Sequence, residues 1–245
     1  MKKHLSVFLL YVRSTIYPTL LVLLLMAAVE IAGFRMLHCE RLPCFGTDVC
    51  GILFRTAFLA AFLLVAVICC GFVRKSCQTG YTLQRLRISE FWVFVWHSVS
   101  NICMLLLLWM TEIAVLFLLS RQYASGSGGP EETRGLGLFV DFYREEFLHA
   151  VLPLQEGILW ARNGIFVLTA GIAAAYAALR LRYRKYPGAA LWTFALSVWA
   201  FPAKLGSGTE GGLVSGIILF FTAVVCVFFA VVTANGGEGR ENDDI

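Results

Sequence analysis

The sequence predicts an all-α, polytopic membrane protein: a bundle of six transmembrane helices. Three observations predict it. Hydrophobic residues make up 59% of the 245-residue chain and charged residues only 15%, with a mean hydropathy of +0.76. A soluble domain of this size carries more charge, because its surface has to be solvated. Six segments are also long and apolar enough to approach the roughly 20 residues needed to cross a bilayer. Finally, the connections between those segments alternate in basicity, as the turns of a chain threaded back and forth across a membrane do. The length suits a single membrane domain, 1–245.

The spans read as 16–34, 51–73, 92–119, 164–179, 188–203 and 212–234. The fifth is short. Its Trp192, Trp199, Pro202 and neighbouring glycines give it an interfacial character, so a re-entrant segment is the alternative there. Lys2 and Lys3 ahead of the apolar residues 5–12 imitate a signal peptide. Arg13 and the Tyr17–Pro18 pair interrupt before any small-residue cleavage site, and the segment reads as retained.

Charge sets the orientation. The N-terminal arm carries Lys2, Lys3 and Arg13. The second connection carries Arg74, Lys75, Arg85 and Arg87, and the fourth carries Arg180, Arg182, Arg184 and Lys185. The remaining connections are longer in total and hold Arg35, Arg41, Arg121, Arg134, Arg144, Arg162 and Lys204. Basic residues mark the cytoplasmic side. Both termini are therefore expected in the cytoplasm of a multi-pass protein of the cell membrane, which requires an even number of spans.

Three segments lie outside the spans. In residues 5–14, Leu5, Phe8, Leu9 and Val12 follow helical spacing. That predicts an amphipathic N-terminal helix in the inner interface, or else a plain extension of the first span, since Val7 and Leu10 fall on the other face. Residues 81–90 can form a short cytoplasmic helix after Gly80. It is either a docking surface or simple positive-inside anchoring. The external loop, 120–162, begins with a flexible SGSGGP stretch. It continues as an external amphipathic helix over 136–152, resting on the outer surface or capping the bundle, with Pro153 ending it. The cytoplasmic tail 236–245 is polar.

Intramembrane ionisable side chains are costly and mark candidate sites. Glu30, Arg55 and Glu112 qualify. Glu30 and Arg55 sit at matching depths near the outer ends of their spans and are expected to pair. Glu112 is the deepest and the best functional candidate. Gly171 with Ala175, and Gly212 with Gly216, have the small-xxx-small spacing that permits close helix approach. Of eight cysteines, Cys39, Cys44 and Cys50 share the first external loop, where two can form a disulfide. Cys69, Cys70, Cys103 and Cys226 read as small apolar core residues. His38 beside Cys39 fits no zinc spacing, and His97 reads as an interfacial or packing histidine. The chain has no phosphate loop, no HExxH helix and no GxSxG elbow. No catalytic residue, metal site or cofactor is therefore assigned. No basic-aromatic stripe points to nucleic acid.

The layout of an N-terminal interfacial helix, six spans and a short basic helix between the second and third resembles the membrane subunits of ABC-2-type ATP-binding-cassette exporters. Residues 2–14 look like the interfacial helix. Residues 81–90 (YTLQRLRISE) look like the coupling helix of bacterial ABC-2-like permeases. The resemblance implies a permease subunit, not itself an enzyme, that works with a separate ATPase subunit. Tyr81, Arg85, Arg87 and Glu90 would contact that ATPase, and Glu112 would lie on a substrate route. It also implies a second permease chain, identical or related. The chain departs from the family in placing its large external segment between the third and fourth spans. The alternative is a non-transporting assembly or sensor protein acting through 136–152. An intramembrane enzyme would need its polar side chains to converge in one cavity.

Overall fold

The computed structural model describes residues 2–39, 48–71, 89–126, 146–153, 157–183 and 209–241, with isolated helical positions at 188 and 195. The described residues form α1 (Lys2–Cys39), α2 (Asp48–Cys69), α3 (Glu90–Gly126), α4 (Glu146–Val151), α5 (Gly157–Arg182) and α6 (Thr209–Glu241). No strand occurs among them. All but α4 are long and apolar enough to cross a membrane, five helices in total. Apart from Gly188 and Ala195, the expected fifth span, 188–203, lies outside the described residues.

The surface of the bundle is suited to lipid. Leu24, Leu118, Phe221 and Phe228 are each more than 60% exposed. Apolar surface on this scale facing water would cost about 25 cal/mol per Å², whereas acyl chains solvate it. The interior is built differently. Helix α5 is the most buried of the five and turns Ala170, Ala173, Ala174, Ala175 and Ala177 into the core. Small side chains let neighbouring backbones approach, which is how helices gain contact where no hydrophobic force drives them together. Gly171 shows it directly: a Cβ there would lie 3.0 Å from the Ile102 backbone nitrogen and 2.5 Å from its Cγ1. Gly216 makes no such approach, since a Cβ there meets nothing within 4 Å.

Helix direction follows from which ends meet. Val7 and Tyr11 of α1 pack on Val93 of α3, and Glu30 near the other end of α1 meets Glu112 of α3. Helices α1 and α3 are therefore parallel. Gly33, late in α1, abuts Leu53, early in α2, so α2 is antiparallel to both. The end of α5 meets the start of α3 through Arg182 and Glu90, so α5 is antiparallel to α3. The Thr169 hydroxyl of α5 donates to the Leu219 carbonyl of α6 at 3.0 Å. Seven residues further along both helices, Tyr176 lies within electrostatic range of Cys226. Helices α5 and α6 are thus parallel. The end of α5 and the start of α6 therefore lie at opposite ends of the bundle.

One open alternative is decided and two expectations are corrected. No break separates residues 2–14 from the first span. Helix α1 runs through Pro18 without interruption, and at 1.5 Å per residue it is about 57 Å long, well beyond a hydrocarbon core of roughly 30 Å. The physical reason is Val7. It is fully buried against α3, while Leu5 and Leu9 stay exposed, so this segment packs as an extension and does not lie separately in the interface. The second span stops at Cys69, short of the expected 73. Gly71 adopts φ +76°, and its N–H bonds the Ile68 carbonyl at 3.0 Å, the left-handed closure glycine provides at a helix end. Cys103 is exposed and so is not a core residue, whereas Cys69, Cys70 and Cys226 are buried.

Of the expected external helix 136–152, only α4 and the residues to Pro153 are described. Phe147 and Val151 are each 1% exposed and belong to the main core. Phe147 meets Phe58 edge-on at 6.0 Å. Trp109 Nε1–H donates to the Val151 carbonyl at 3.1 Å, and Asn163 Nδ2–H donates to the Ala150 carbonyl at 2.8 Å. Both acceptors are orphan carbonyls of a helix end, so α4 is held on the bundle by apolar plugs and capped by the helices beneath it.

Candidate functional site

Polar residues of α1 and α3 fall at three levels along these parallel helices. The first is a junction at the Lys2 end of the bundle. Glu90 opens α3, where a negative charge suits the helix dipole, and Arg182 closes α5, where a positive charge does. Arg182 Nη1 lies 3.3 Å from Glu90 Oε1, and the Tyr183 hydroxyl donates to Glu90 Oε2. Arg182 Nη2 donates to the Tyr11 hydroxyl at 3.4 Å. The Tyr11 ring stacks on His97 with centroids 4.1 Å apart. One guanidinium, that of Arg182, thus ties α5 to both α3 and α1. The junction is 27–30% exposed, so water reaches it and screens it in part.

The second level lies deeper. Thr19 on α1 and Asn101 on α3 are fully buried. Asn101 Nδ2–H donates to the Gly171 carbonyl at 3.5 Å, a contact allowed by the close α3–α5 approach at that glycine. Asn101 Oδ1, Thr19 Oγ1 and the neighbouring Ser100 Oγ have no hydrogen-bond partner.

The third level is a carboxyl pair. Glu30 and Glu112 have no exposed surface. Their side chains face each other closely enough to act on one another, yet none of their four oxygens has a hydrogen-bond partner. Buried polar groups are nearly always satisfied, so four orphan oxygens in one place need a reason.

This corrects the expected Glu30–Arg55 pair. Glu30 turns along the α1–α3 seam toward Glu112. Arg55, on α2, is half-buried with an unpartnered Nε and forms no ion pair with Glu30. The reason is helix geometry: Glu30 shares the stripe of Val22, Leu23, Met26 and Phe34, all buried, and at its level that stripe meets α3. Matching depth alone did not say which helix it faces.

Of the other predicted residues, Tyr81, Arg85 and Arg87 lie outside the described residues. Glu90 is in the junction. The side chains of His38, Cys39, Cys44, Cys50 and His149 are likewise outside. His97 is 7% exposed and packs against Tyr11. Sequence reasoning passed over Tyr11, Thr19, Asn101, Arg182 and Tyr183 as site residues. One signal was available. Glu30 follows Thr19, and Glu112 follows Asn101, by the same eleven residues, three helical turns along one face.

Comparison with family models gives no match to this chain, and comparisons with curated proteins and with solved structures give none either.

Proposed function

We propose that this chain is the membrane-spanning permease subunit of an ATP-driven, ABC-2-like transporter, coupled to a separate ATPase through residues 81–90. The observation that carries the reading is the Glu90 junction. Residues 81–90 end on a glutamate that bonds to Arg182, the last residue of α5, and to Tyr183 just beyond it, and through Arg182 to Tyr11 of α1. A push on that segment would reach three helices through this junction. Such a linkage is what a coupling element needs if nucleotide-driven closure of an ATPase is to rock the spans between inward- and outward-facing states. In this reading Tyr81, Arg85 and Arg87 contact the ATPase. Glu90 transmits the motion, and Glu112 lines the polar interior of the route.

The topology proposed with it has six crossings, the sixth being 188–203, with both termini in the cytoplasm of a cell-membrane protein. The parallel course of α5 and α6 supports it, because 183–208 must return across the bundle. The basic residues 180–185, with those of 74–87 and the N-terminal arm, support the orientation. A functional transporter then needs two such chains, identical or related.

The test is copurification in mild detergent with identification of bound chains, followed by ATP turnover in lipid. The reading expects an ATPase subunit to copurify, and Arg85→Glu with Arg87→Glu to release it. Unchanged association and turnover in that double variant would remove the docking role.

A further inference from the structure

We infer that Glu30 and Glu112 form a proton-binding site inside the bundle, one proton being held between the two carboxyl groups. The inference does not depend on the ATPase reading. It starts from charge. Two carboxylates buried side by side in a low-dielectric interior repel strongly, and each pays a desolvation cost that only a compensating positive charge or hydrogen bonds can offset. No protein group supplies it among the described residues. On α2, Arg55 bonds to neither carboxyl. On α5, Arg162 donates to Asn163, and Arg182 belongs to the junction at the far end with Arg180 close by. Tyr176 and Cys226 meet each other at the α5–α6 contact. Each glutamate has the other as its electrostatic neighbour.

The donor set selects the ion. A hard metal cation takes roughly six or more oxygen ligands. This site offers four oxygens, and no group of three or more His, Cys, Asp or Glu side chains is assembled among the described residues. A proton needs only two oxygens. It arrives on hydronium, which leaves as water, and the sole bond made is O–H on one carboxyl, donating to the other.

A second observation points the same way. Thr19 and Asn101 lie on the same faces of α1 and α3 as the glutamates, about 16 Å nearer the Glu90 end. Their Oγ1 and Oδ1 atoms are buried and unpartnered too. Because α1 and α3 are parallel and Glu30 is level with Glu112, these two side chains are level with each other. The seam therefore carries a polar step between the water-accessible junction and the sealed pair, placed where a hydrated path to the proton site would run.

The test uses the full-length protein in lipid nanodiscs. Infrared spectra of wild type and of Glu30→Gln/Glu112→Gln are compared at neutral pH in H2O and D2O. Wild type is separately treated with dicyclohexylcarbodiimide, which modifies protonated carboxyl groups in apolar surroundings, and the adduct is mapped by mass spectrometry. The expected result is a carboxylic-acid band that shifts in D2O and is lost in the double variant. In wild type, an adduct on Glu30 or Glu112 should persist when sodium is added at constant pH. The mapping stands even if the variant fails to fold. Absence of both band and adduct overturns the inference, since both groups are then ionised or paired with Arg55. Loss of the adduct on adding sodium overturns it too, because the site then takes a metal cation.

Discussion

Gly171 is the residue on which the centre of the bundle depends, because its missing side chain sets how closely α5 approaches α3. Alanine there would place Cβ 3.0 Å from the Ile102 nitrogen and 3.2 Å from its Cα. Ile102 can swing its side chain away, but its backbone cannot move without parting the helices. Gly171→Ala is expected to destabilise the protein by about 1–3 kcal/mol, read as a lower melting temperature in detergent. Gly216→Ala should stay within about 0.5 kcal/mol of wild type, since its Cβ enters open space. Trp109→Phe keeps an aromatic ring but loses part of the indole's volume and strands the buried Val151 carbonyl, the lost hydrogen bond alone costing about 1–3 kcal/mol. Limited proteolysis should then cut near α4 first. Cys70, just past the α2 span, offers a pH test. Burial pushes its thiol up to about 12, so in the folded protein it stays protonated, and unreactive to alkylation, until the pH rises toward that value. Alkylation of Cys70 at pH 8 at the rate of an ordinary thiol would mean that the end of α2 opens.

At the scale of elements, long apolar runs were legible because lipid imposes a strong and uniform demand on composition. The five described spans fall where hydropathy puts them. What a run of apolar residues does not encode is which neighbour each face meets. Val7 and Leu10 were visible as misfits to an interfacial helix, and Val7 proves to be a packing contact with α3. Glu30 was visible as a buried charge, but a single helix cannot say whether its partner stands on α2 or on α3. The glycine pairs looked alike in sequence, yet Gly171 is at a close approach and Gly216 is not, because spacing along one helix does not say how near the neighbouring backbone comes. The ends of elements carry the coupling. Glu90→Gln or Tyr183→Phe should lower coupled ATP turnover while changing stability by no more than about 1 kcal/mol, given a partly solvated ion pair. Equal loss of both would make the junction merely structural. Helix α4 bears on the alternative function. Phe147 and Val151 are spent inside the core, so these two side chains are not available to a partner.

For the whole molecule, the proposed function depends on how the chain threads the membrane: the Glu90 end inside the cell, and α6 entering from the same side as α5. Single cysteines at Ser89, Gly157 and Thr209, in a background without other accessible cysteines, report this directly through labelling of intact cells with a membrane-impermeant maleimide. The account predicts labelling at 157 and 209 from outside, and at 89 only after the cells are permeabilised. Labelling of 89 in intact cells would reverse the orientation and remove the ATPase contact. Protection of 209 alongside 89 would contradict the return crossing between α5 and α6.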